Sequence, residues 1–456
     1  MSGLSPQLVL HNTLARAKQP FQPADPSRIG IYACGPTVYD RIHVGNARPL
    51  VVFDVLVRVL RHLYGRGAVC YVRNITDVDD KNNARAAERD IDIRQLCEDT
   101  ISCFHEDAKS LKVLHPDVEP RATDHIAEMI ALNQTLIEKG HAYAAEGHVL
   151  FDVSSMSDYG QLSGRSMDEM IAGARVEIAP YKRNPADFVL WKPSEPPQPG
   201  WDSPWGYGRP GWHIECSAMS ARYLGAEFDI HAGGLDLIFP HHENEIAQSC
   251  CGHGTDTMAR FWVHNGYVTV DGEKMSKSLG NFTTVAQALE KHRGEAIRLG
   301  LLSAHYRAPL DFSDKQIAEA KAALDKLYAA TAEVEQSAEP HADFLAALCD
   351  DLNTPLAISV LHQLAKQANK GDIKAAAQLK ASAALIGLLE EDSQVWLKGG
   401  AKADGPDEAA IEADIEARNA ARSARDFATA DAIRDKLLAM DIELLDGPEG
   451  TSWRRR

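Results

Sequence analysis

Residues 29–48 read IGIYACGPTVYDRIHVGNAR, and this stretch predicts the core of the fold. The apolar run from Ile29 to Ala33 predicts a strand, and the apolar run from Leu50 to Leu63 predicts a helix. The residues between them therefore form a loop that leads into a helix N-terminus. Such a loop offers free backbone N–H groups and a favourable dipole to a phosphate group, and Gly45 permits close approach of the ligand.

Two further stretches extend this prediction. The apolar run from Ala68 to Arg73 predicts the next parallel strand, which completes a β-α-β unit. In Lys274–Ser278 (KMSKS), two lysines lie beside serine hydroxyls and could bind nucleotide phosphates transiently. The pentapeptide alone also fits a polar surface turn. Because the two phosphate motifs are far apart in sequence yet must meet one nucleotide, we expect a split nucleotide fold with an insertion at about 114–208.

The two phosphate motifs together resemble the signatures of class I aminoacyl-tRNA synthetases. The resemblance implies that His43, Asn46, Lys274 and Lys277 are catalytic and stabilise the phosphates of ATP while an amino-acid carboxylate attacks. Asn46 stands where a second histidine is usual, but asparagine remains a hydrogen-bond donor. The implied fold is α/β, with a doubly wound (Rossmann-like) catalytic domain whose ligands lie beyond the carboxyl ends of the strands.

Cysteine, histidine and glutamate residues from separate stretches form a candidate metal site. A helix opened by Pro240 would place His241 and Glu245 on one face, where the thiolates of Cys34 and Cys216 could join them. Two cysteines, one histidine and one carboxylate suit Zn²⁺ by softness and number. Taken singly, each residue has an ordinary alternative, such as a small buried cysteine or a solvated helix charge.

The motifs around these residues resemble the cysteinyl-tRNA synthetase family: CGPTVYD at 34–40, GWHIECSAM at 211–219 and FPHHENE at 239–245. The resemblance runs from Cys34 to Arg456. It implies that Cys34, Cys216, His241 and Glu245 hold one Zn²⁺ per chain, with the thiolate of substrate cysteine as an additional ligand. Zinc binds a thiol more readily than the hydroxyl of serine, so the metal would reduce the need for an editing site.

The resemblance also implies contacts to both small substrates. For the bound L-cysteine, the matching positions are Gly35, Thr76, Trp212 and His231. For ATP, which brings Mg²⁺ with it, they are Thr37, His43, Gly45, Asn46, Gly233, Asp236 and Lys277. As structural alternatives, Trp212 could belong to the core and Asp236 to a turn.

The implied reaction has two steps. The carboxylate of cysteine attacks ATP to give cysteinyl adenylate and pyrophosphate, and the terminal adenosine of tRNA(Cys) then accepts the cysteine. One alternative is a ligase that transfers activated cysteine to a small amine, and another is a non-catalytic RNA-binding relative. The C-terminal module argues against the first alternative, and the complete metal and phosphate motifs argue against the second.

Beyond a catalytic domain at 1–312, the sequence becomes rich in alanine and leucine, which predicts an α-helical bundle at 313–398. Residues 399–407 are predicted to be a linker. A small α+β module follows at 408–456, with helices at 418–425 and 427–440 before two strands. By resemblance this module binds the anticodon through Arg422, Phe427 and Asp431, and Phe427, where tryptophan is common, can still stack on a base.

The composition fits a globular chain of several domains, with 456 residues, 45% of them hydrophobic and 25% charged. Eight unevenly spaced cysteines favour a reducing compartment. No apolar run reaches membrane length and Met1 to Pro20 lacks an export signal, so we expect a cytoplasmic monomer without membrane contact. The net charge of -17 does not exclude RNA binding, because that requires only local lysine and arginine.

Overall fold

The computed structural model describes residues 6–166, 169, 179–270, 273–274, 282–332, 334–337, 339–398, 408–440, 442–447 and 450–455. The chain divides into two compact units. The first unit comprises Met1–Ala318, Ala342–Ser359 and Leu385–Gly387, and the second comprises Glu319–His341, Val360–Ala384 and Leu388–Arg456. Within the described ranges, no helix is long and apolar enough to cross a membrane.

The secondary structure mixes short strands with longer helices. The strands are β1 Val9–Asn12, β2 Ala17–Pro20, β3 Ile29–Ala33, β4 Val69–Arg73, β5 Ala142–Ala145, β6 His148–Phe151, β7 Phe188–Pro193, β8 Gly208–Pro210, β9 Phe228–Gly234, β10 Ala259–Asn265, β11 Val268–Val270, β12 Glu273–Lys274, β13 Leu310–Asp311, β14 Ile442–Gly447 and β15 Gly450–Arg455. The helices are α1 Val44–Tyr64, α2 Asp80–Arg89, α3 Ile93–Ser110, α4 Ile126–Glu138, α5 Trp212–Leu224, α6 Glu243–His253, α7 Val285–Lys291, α8 Gly294–Leu302, α9 Asp314–Ala330, α10 Ala342–Cys349, α11 Thr354–Ala368, α12 Ile373–Leu385, α13 Ser393–Leu397, α14 Glu408–Ser423 and α15 Phe427–Ala439.

A parallel sheet lies at the centre of the first unit, with its strands in the order β4-β3-β9-β10. Ile31 of β3 pairs with Tyr71 of β4 on one side and with Ile230 of β9 on the other. Strands β3 and β9 lie at the centre of the sheet, and β4 and β10, which follow them in sequence, lie at its two edges. This is the doubly wound arrangement. The predicted fold class is confirmed, and so is the β3-α1-β4 unit.

Helix α1 is buried along most of its length because helices cover the faces of a parallel sheet. Its Arg48 is fully buried and donates to the carbonyls of Gly266 at 3.0 Å, Tyr267 at 2.8 Å and His305 at 3.1 Å. Burial lowers the pKa of Arg48 to about 10, so the guanidinium stays charged at neutral pH. These bonds attach the start of α1 to the segment that leads into β11.

The antiparallel sheet β5-β6-β7-β8 comes mainly from the predicted insertion. It shares one hydrophobic cluster with the parallel sheet, in which Trp191 of β7 and Trp262 of β10 are both fully buried. Large aromatic side chains dominate the energetics of such a core. The insertion is therefore packed into the first unit and supports the parallel sheet from one side.

The C-terminal part of the second unit contains α14, α15 and the hairpin β14-β15, in the predicted order. Helix α14 begins at Glu408 and not at Arg418, because Ile411 and Ile415 bury against Leu437 and Trp453. Two isoleucines in a stretch rich in alanine and glutamate are a weak helical signal in sequence. The linker predicted at 399–407 lies outside the described residues.

Asp54 of α1 is a fully buried carboxylate that holds several elements of the first unit together. It accepts hydrogen bonds from Arg58 at 2.8 Å, from the backbone of Leu114 at 2.8 Å and from the buried Arg298. We predict that Asp54→Ala lowers the free energy of unfolding by about 3–5 kcal/mol, because it removes one partner of a buried ion pair. Urea denaturation followed by tryptophan fluorescence measures this loss.

The matched control is Glu88→Ala, which removes an exposed ion pair to Arg85 at 3.0 Å. Surface pairs of this kind contribute about 0–1 kcal/mol. Equal losses in the two variants would contradict the role given to Asp54.

Candidate active site

The candidate site lies at the carboxyl ends of β3 and β9, where the strand order of the parallel sheet reverses. Cys34 directly follows β3, and its backbone N–H donates to the carbonyl of Ala232 in β9 at 3.2 Å. Cys216 enters from α5, in the second turn of that helix. Strand ends and helix starts from distant parts of the chain therefore meet at this point.

The four predicted metal ligands form one cluster. The sulfur of Cys34 lies 3.7 Å from the sulfur of Cys216 and 3.6 Å from Oε1 of Glu245. Nε2 of His241 lies 3.0 Å from the same carboxylate oxygen. All four donor atoms lie within 4.8 Å of one another, a spacing suited to ligands of a single ion.

The backbone around His241 agrees with a helix opened by Pro240. Phe239 is extended (φ -136°, ψ 131°) and forms a kink, and the chain is helical from Pro240 into α6. His241 and Glu245 therefore share one face, as their contact shows.

The electrostatics of the cluster explain why it fits a metal ion. Burial raises the pKa of the Cys34 thiol, and so do the hydrogen bond with Cys216 and the charge of Glu245. The pKa of Cys216 is also raised: its hydrogen bond with Cys34 lowers the value, but burial and Glu245 outweigh that effect. A bound cation reverses this balance for a coordinating thiol. A buried set of two sulfurs, one imidazole and one carboxylate therefore fits a borderline-soft divalent ion.

Histidines that the sequence analysis gave no role surround this cluster. His213 Nδ1 lies 2.8 Å from Nδ1 of His241, and His242 Nδ1 lies 2.8 Å from Nε2 of His264. The predicted cysteine-binding residue His231 instead contacts Oε2 of Glu245 at 2.8 Å. Such partners orient metal ligands and are part of the centre.

His242 and His231 also form a second donor group with Cys34 and Glu245. Nε2 of His242 lies 3.4 Å from the sulfur of Cys34. The adjacent histidines in the motif at 239–245 were the available sequence signal for His242. No local pattern identifies His264, which lies in β10.

A cavity of about 380 Å³ opens beside the cluster and runs towards the start of α1. Its lining includes these predicted site residues: Cys34, Gly35, Thr37, His43, Gly45, Asn46, Trp212 and Asp236. The structure thus brings the two ends of the predicted site into one cavity. Trp212 is partly exposed and stacks on His241, with ring centroids 4.1 Å apart, so the core alternative for Trp212 is wrong.

Among the described residues predicted to contact cysteine or ATP, Thr76, His231 and Gly233 are not part of the cavity lining. Thr76 pairs with Thr37 as a parallel bridge and donates its hydroxyl to Glu215 at 3.0 Å. His231 is fully buried against Glu245. Gly233 lies against His242, whose ring a Cβ at this position would meet at 2.7 Å.

Asn46 has a structural contact that the sequence analysis did not predict. Its side chain accepts from the backbone N–H of His43 at 3.3 Å, and Nδ1 of His43 accepts from the backbone N–H of Asn46 at 3.3 Å. This reciprocal pair is a capping box at the N-terminus of α1. The asparagine therefore orients the His43 loop.

Gly35 is required by close approach of two backbone segments. A Cβ at this position would lie 1.6 Å from the carbonyl oxygen of Asn74. The backbone N–H of Gly35 also donates to the side chain of Asn74 at 2.9 Å. The loop after β3 is thereby fixed against the loop after β4.

Of the remaining predicted residues, Lys274 ends β12, and Lys277 lies outside the described residues. Arg422, at the end of α14, pairs with Asp446 at 3.1 Å, and Asp431 of α15 pairs with Arg434 at 3.2 Å. Phe427 begins α15 and is 63% exposed, as a base-stacking side chain must be.

Sequence comparison identifies the family. Residues 20–322 match the family model described as the tRNA synthetases class I (C) catalytic domain, and residues 343–391 match the DALR domain. The chain is 58% identical to a cysteine--tRNA ligase of Rhodospirillum rubrum over 98% of this chain and 99% of the relative. It is 60% identical to that of Rhodospirillum centenum, with the same coverage. The chain belongs to the cysteine--tRNA ligase family.

Solved structures support the fold of this family. Methionyl-tRNA synthetase of Mycobacterium tuberculosis, in complex with methionyl-adenylate, aligns with a TM-score of 0.56 at 15% identity, covering 82% of this chain and 94% of that one. A leucyl synthetase complex of Agrobacterium radiobacter K84 aligns with a TM-score of 0.55 at 12% identity, covering 82% and 85%. At these identities the likeness concerns the fold alone.

The buried histidines predict acid sensitivity. Burial lowers the pKa of His213 and of His264 to about 3. The unfolded chain takes up these protons near pH 6.5 and the folded chain does not. Stability is therefore fully present above about pH 6.5 and falls between about pH 6.5 and 3, by roughly 1.4 kcal/mol per pH unit for each such histidine.

The measurement is the pH dependence of urea unfolding near pH 5.5. His264→Asn should reduce the number of protons taken up on unfolding by about one. The exposed His253→Asn should change it much less. An unchanged slope in His264→Asn would show that His264 titrates normally in the folded protein.

Proposed function

We propose that this chain activates L-cysteine with ATP and transfers it to the terminal adenosine of tRNA(Cys). The observation that carries the proposal is one cavity whose lining includes both Cys34, a member of the donor cluster, and the His43 loop. An amino acid held by its side chain at Cys34 can present its carboxylate towards that loop. The family relationship supports the same reaction.

At the cysteine end, we propose that Cys34, Cys216, His241 and Glu245 hold one Zn²⁺. When bound, the ion supplies a Lewis acid that prefers the thiol of cysteine to the hydroxyl of serine. The chain's own residues shape the pocket around the substrate. The stack of Trp212 on His241 forms one wall, and Gly35 leaves room beside Cys34.

Thr76 and His231 support this end without lining the cavity. The hydroxyl of Thr76 donates to Glu215, whose pKa burial raises far above its ordinary value. This hydrogen bond fixes Thr76 against the buried Glu215. His231 donates to Glu245 and orients that ligand.

At the ATP end, the N-terminus of α1 provides backbone donors and a positive dipole for the phosphates. We propose that His43, Gly45 and Asn46 contact them, that Thr37, Gly233 and Asp236 contact the nucleotide, and that Mg²⁺ accompanies ATP. Lys274 and Lys277 supply positive charge to the transition state. Catalysis then rests on positioning and charge stabilisation.

For tRNA, we propose the domain plan predicted from the sequence: a catalytic domain at 1–312, a bundle at 313–398 and an anticodon module at 408–456. Phe427 stacks on a base and Arg422 and Asp431 contact the anticodon, which the exposure of Phe427 supports. We propose that the chain acts as a monomer. All eight cysteines are unpaired, which supports a cytoplasmic location.

The test is cysteine attachment to purified tRNA(Cys) with ATP, zinc and magnesium, using serine and an unrelated tRNA as controls. Selective charging of tRNA(Cys) with cysteine is the expected result. Cysteine-dependent pyrophosphate exchange without charging would instead favour the ligase that transfers cysteine to a small amine. Absence of both activities in zinc-loaded protein would favour a non-catalytic relative.

Cys34→Ser should lower zinc affinity by about 100-fold or more, because a hard hydroxyl replaces a thiolate and even a supporting partner contributes about 10–100-fold. Zinc per chain after dialysis and the KM for cysteine in pyrophosphate exchange measure the effect. Cys70→Ser is the control, since Cys70 lies in β4 outside the donor cluster. Full zinc occupancy in Cys34→Ser would remove the ligand assignment.

Lys277→Ala should lower the rate of adenylate formation on the order of 100-fold, comparable to the loss of one transition-state donor. Pyrophosphate exchange at saturating cysteine measures this rate. Lys291→Ala removes an exposed lysine that pairs with Asp314 at 2.9 Å and should leave the rate near that of the parent. The same rate in Lys277→Ala and the parent would reject the assignment.

A further inference from the structure

A second group of metal-ligating side chains lies away from the Cys34 cluster, where α3 and the segment after it meet. It consists of His105 from α3 together with His115 and Glu119. Nε2 of His105 lies 2.6 Å from Oε2 of Glu119, and Nε2 of His115 lies 3.7 Å from the same oxygen. All three donor atoms lie within 4.8 Å of one another.

The tautomer of His115 directs a lone pair into this group. Its Nδ1 lies 2.9 Å from the carbonyl of Pro116, so Nδ1 carries the proton and donates there. Nε2 is then an acceptor that faces the acceptor oxygen of Glu119. Two acceptors at this distance attract a cation between them, and a backbone carbonyl on the second ring nitrogen is the usual support of a metal-binding histidine.

A buried arginine holds the other carboxylate oxygen of Glu119. Its Oε1 accepts from Nη2 of Arg73 at 2.9 Å, and Arg73 is only 2% exposed. The segment around it is bonded to β4, since Arg73 donates to the carbonyl of Val118 at 3.1 Å and Val118 donates to Tyr71 at 3.2 Å. Oε2 of Glu119 therefore has a fixed position towards the two histidines.

We infer that His105, His115 and Glu119 bind one divalent transition-metal ion of the zinc type, separate from the Cys34 centre. Two imidazoles and one carboxylate are ligands that such ions prefer. Two ligand atoms bound to zinc at about 2.0–2.1 Å in tetrahedral geometry lie roughly 3.4 Å apart, which is close to the His115–Glu119 separation of 3.7 Å. His105 and Glu119 are hydrogen-bonded at 2.6 Å, so binding of the ion requires His105 to give up this bond and move away from Glu119 by roughly 0.8 Å. The side chain of His115 is 67% exposed, so it can adjust and the fourth position is open to water.

A single ion pair connects this site to the cavity of the candidate active site. Arg73 lines that cavity and also holds Oε1 of Glu119, while the ion takes Oε2. The guanidinium of Arg73 also lies over the ring of Phe104, the residue before His105. The ion would thus attach α3 to the segment at 115–119 on the outer side of the cavity wall.

The test is a calorimetric titration of Zn²⁺ into full-length protein that already carries one equivalent of zinc. We expect a second binding event of about one ion per chain. His115→Ala should weaken that event by about 100-fold or more, because it removes a ligand. The high exposure of His115 means that the variant keeps its fold, which an unchanged thermal midpoint without added zinc verifies.

Two controls separate this site from other zinc binding. His253→Ala removes another exposed histidine, outside the donor groups, and should keep the second event. Cys34→Ser should also keep it, because the two sites share no ligand. The inference is overturned if the parent protein shows no second event, if His115→Ala retains it unchanged, or if His253→Ala loses it equally.

Discussion

The parallel pairing of β3 with β9 is the constraint on which the candidate active site depends. In this register Ala33 lies beside Ala232 and Tyr32 beside His231, so two distant parts of the chain leave the sheet together. Cys34, which follows β3, therefore meets side chains contributed by the 231–245 region. All five residues of β3 are buried, and a register shift of one residue would turn each side chain to the other face.

Burial of the donor cluster raises the free-energy cost of its charges and determines which ligand it can bind. Glu245 is fully buried, yet both of its oxygens have partners, with His241 at 3.0 Å on one and His231 at 2.8 Å on the other. A carboxylate without such partners would be too costly to bury. The same low-dielectric surroundings disfavour deprotonation of Cys34 and Cys216 unless a cation binds to their sulfurs. The donor cluster is therefore suited to a metal ion that binds both sulfurs.

The sequence predicted those parts of the molecule whose signals are local. Strand β3, the loop at Cys34 and helix α1 each have their own pattern, and the helix after Phe239 places His241 and Glu245 on one face as their spacing predicts. His264 was missed because only the pairing of β10 with β9 brings it to His242. The capping role of Asn46 was missed because a histidine with an asparagine three residues later is not a usual capping sequence. The roles of the substrate-contacting residues stay predictions.

The three carbonyls held by Arg48 have a mechanical consequence. Gly266 and Tyr267 lie directly before β11, which pairs with β12 and so with Lys274. Their attachment to α1 means that the base of the lysine-bearing hairpin cannot move separately from the His43 loop without breaking buried, charge-assisted bonds. The start of α1 and the base of the β11-β12 hairpin thus share one rigid support. The spacing between β11 and the His43 loop is therefore set by the folded core itself.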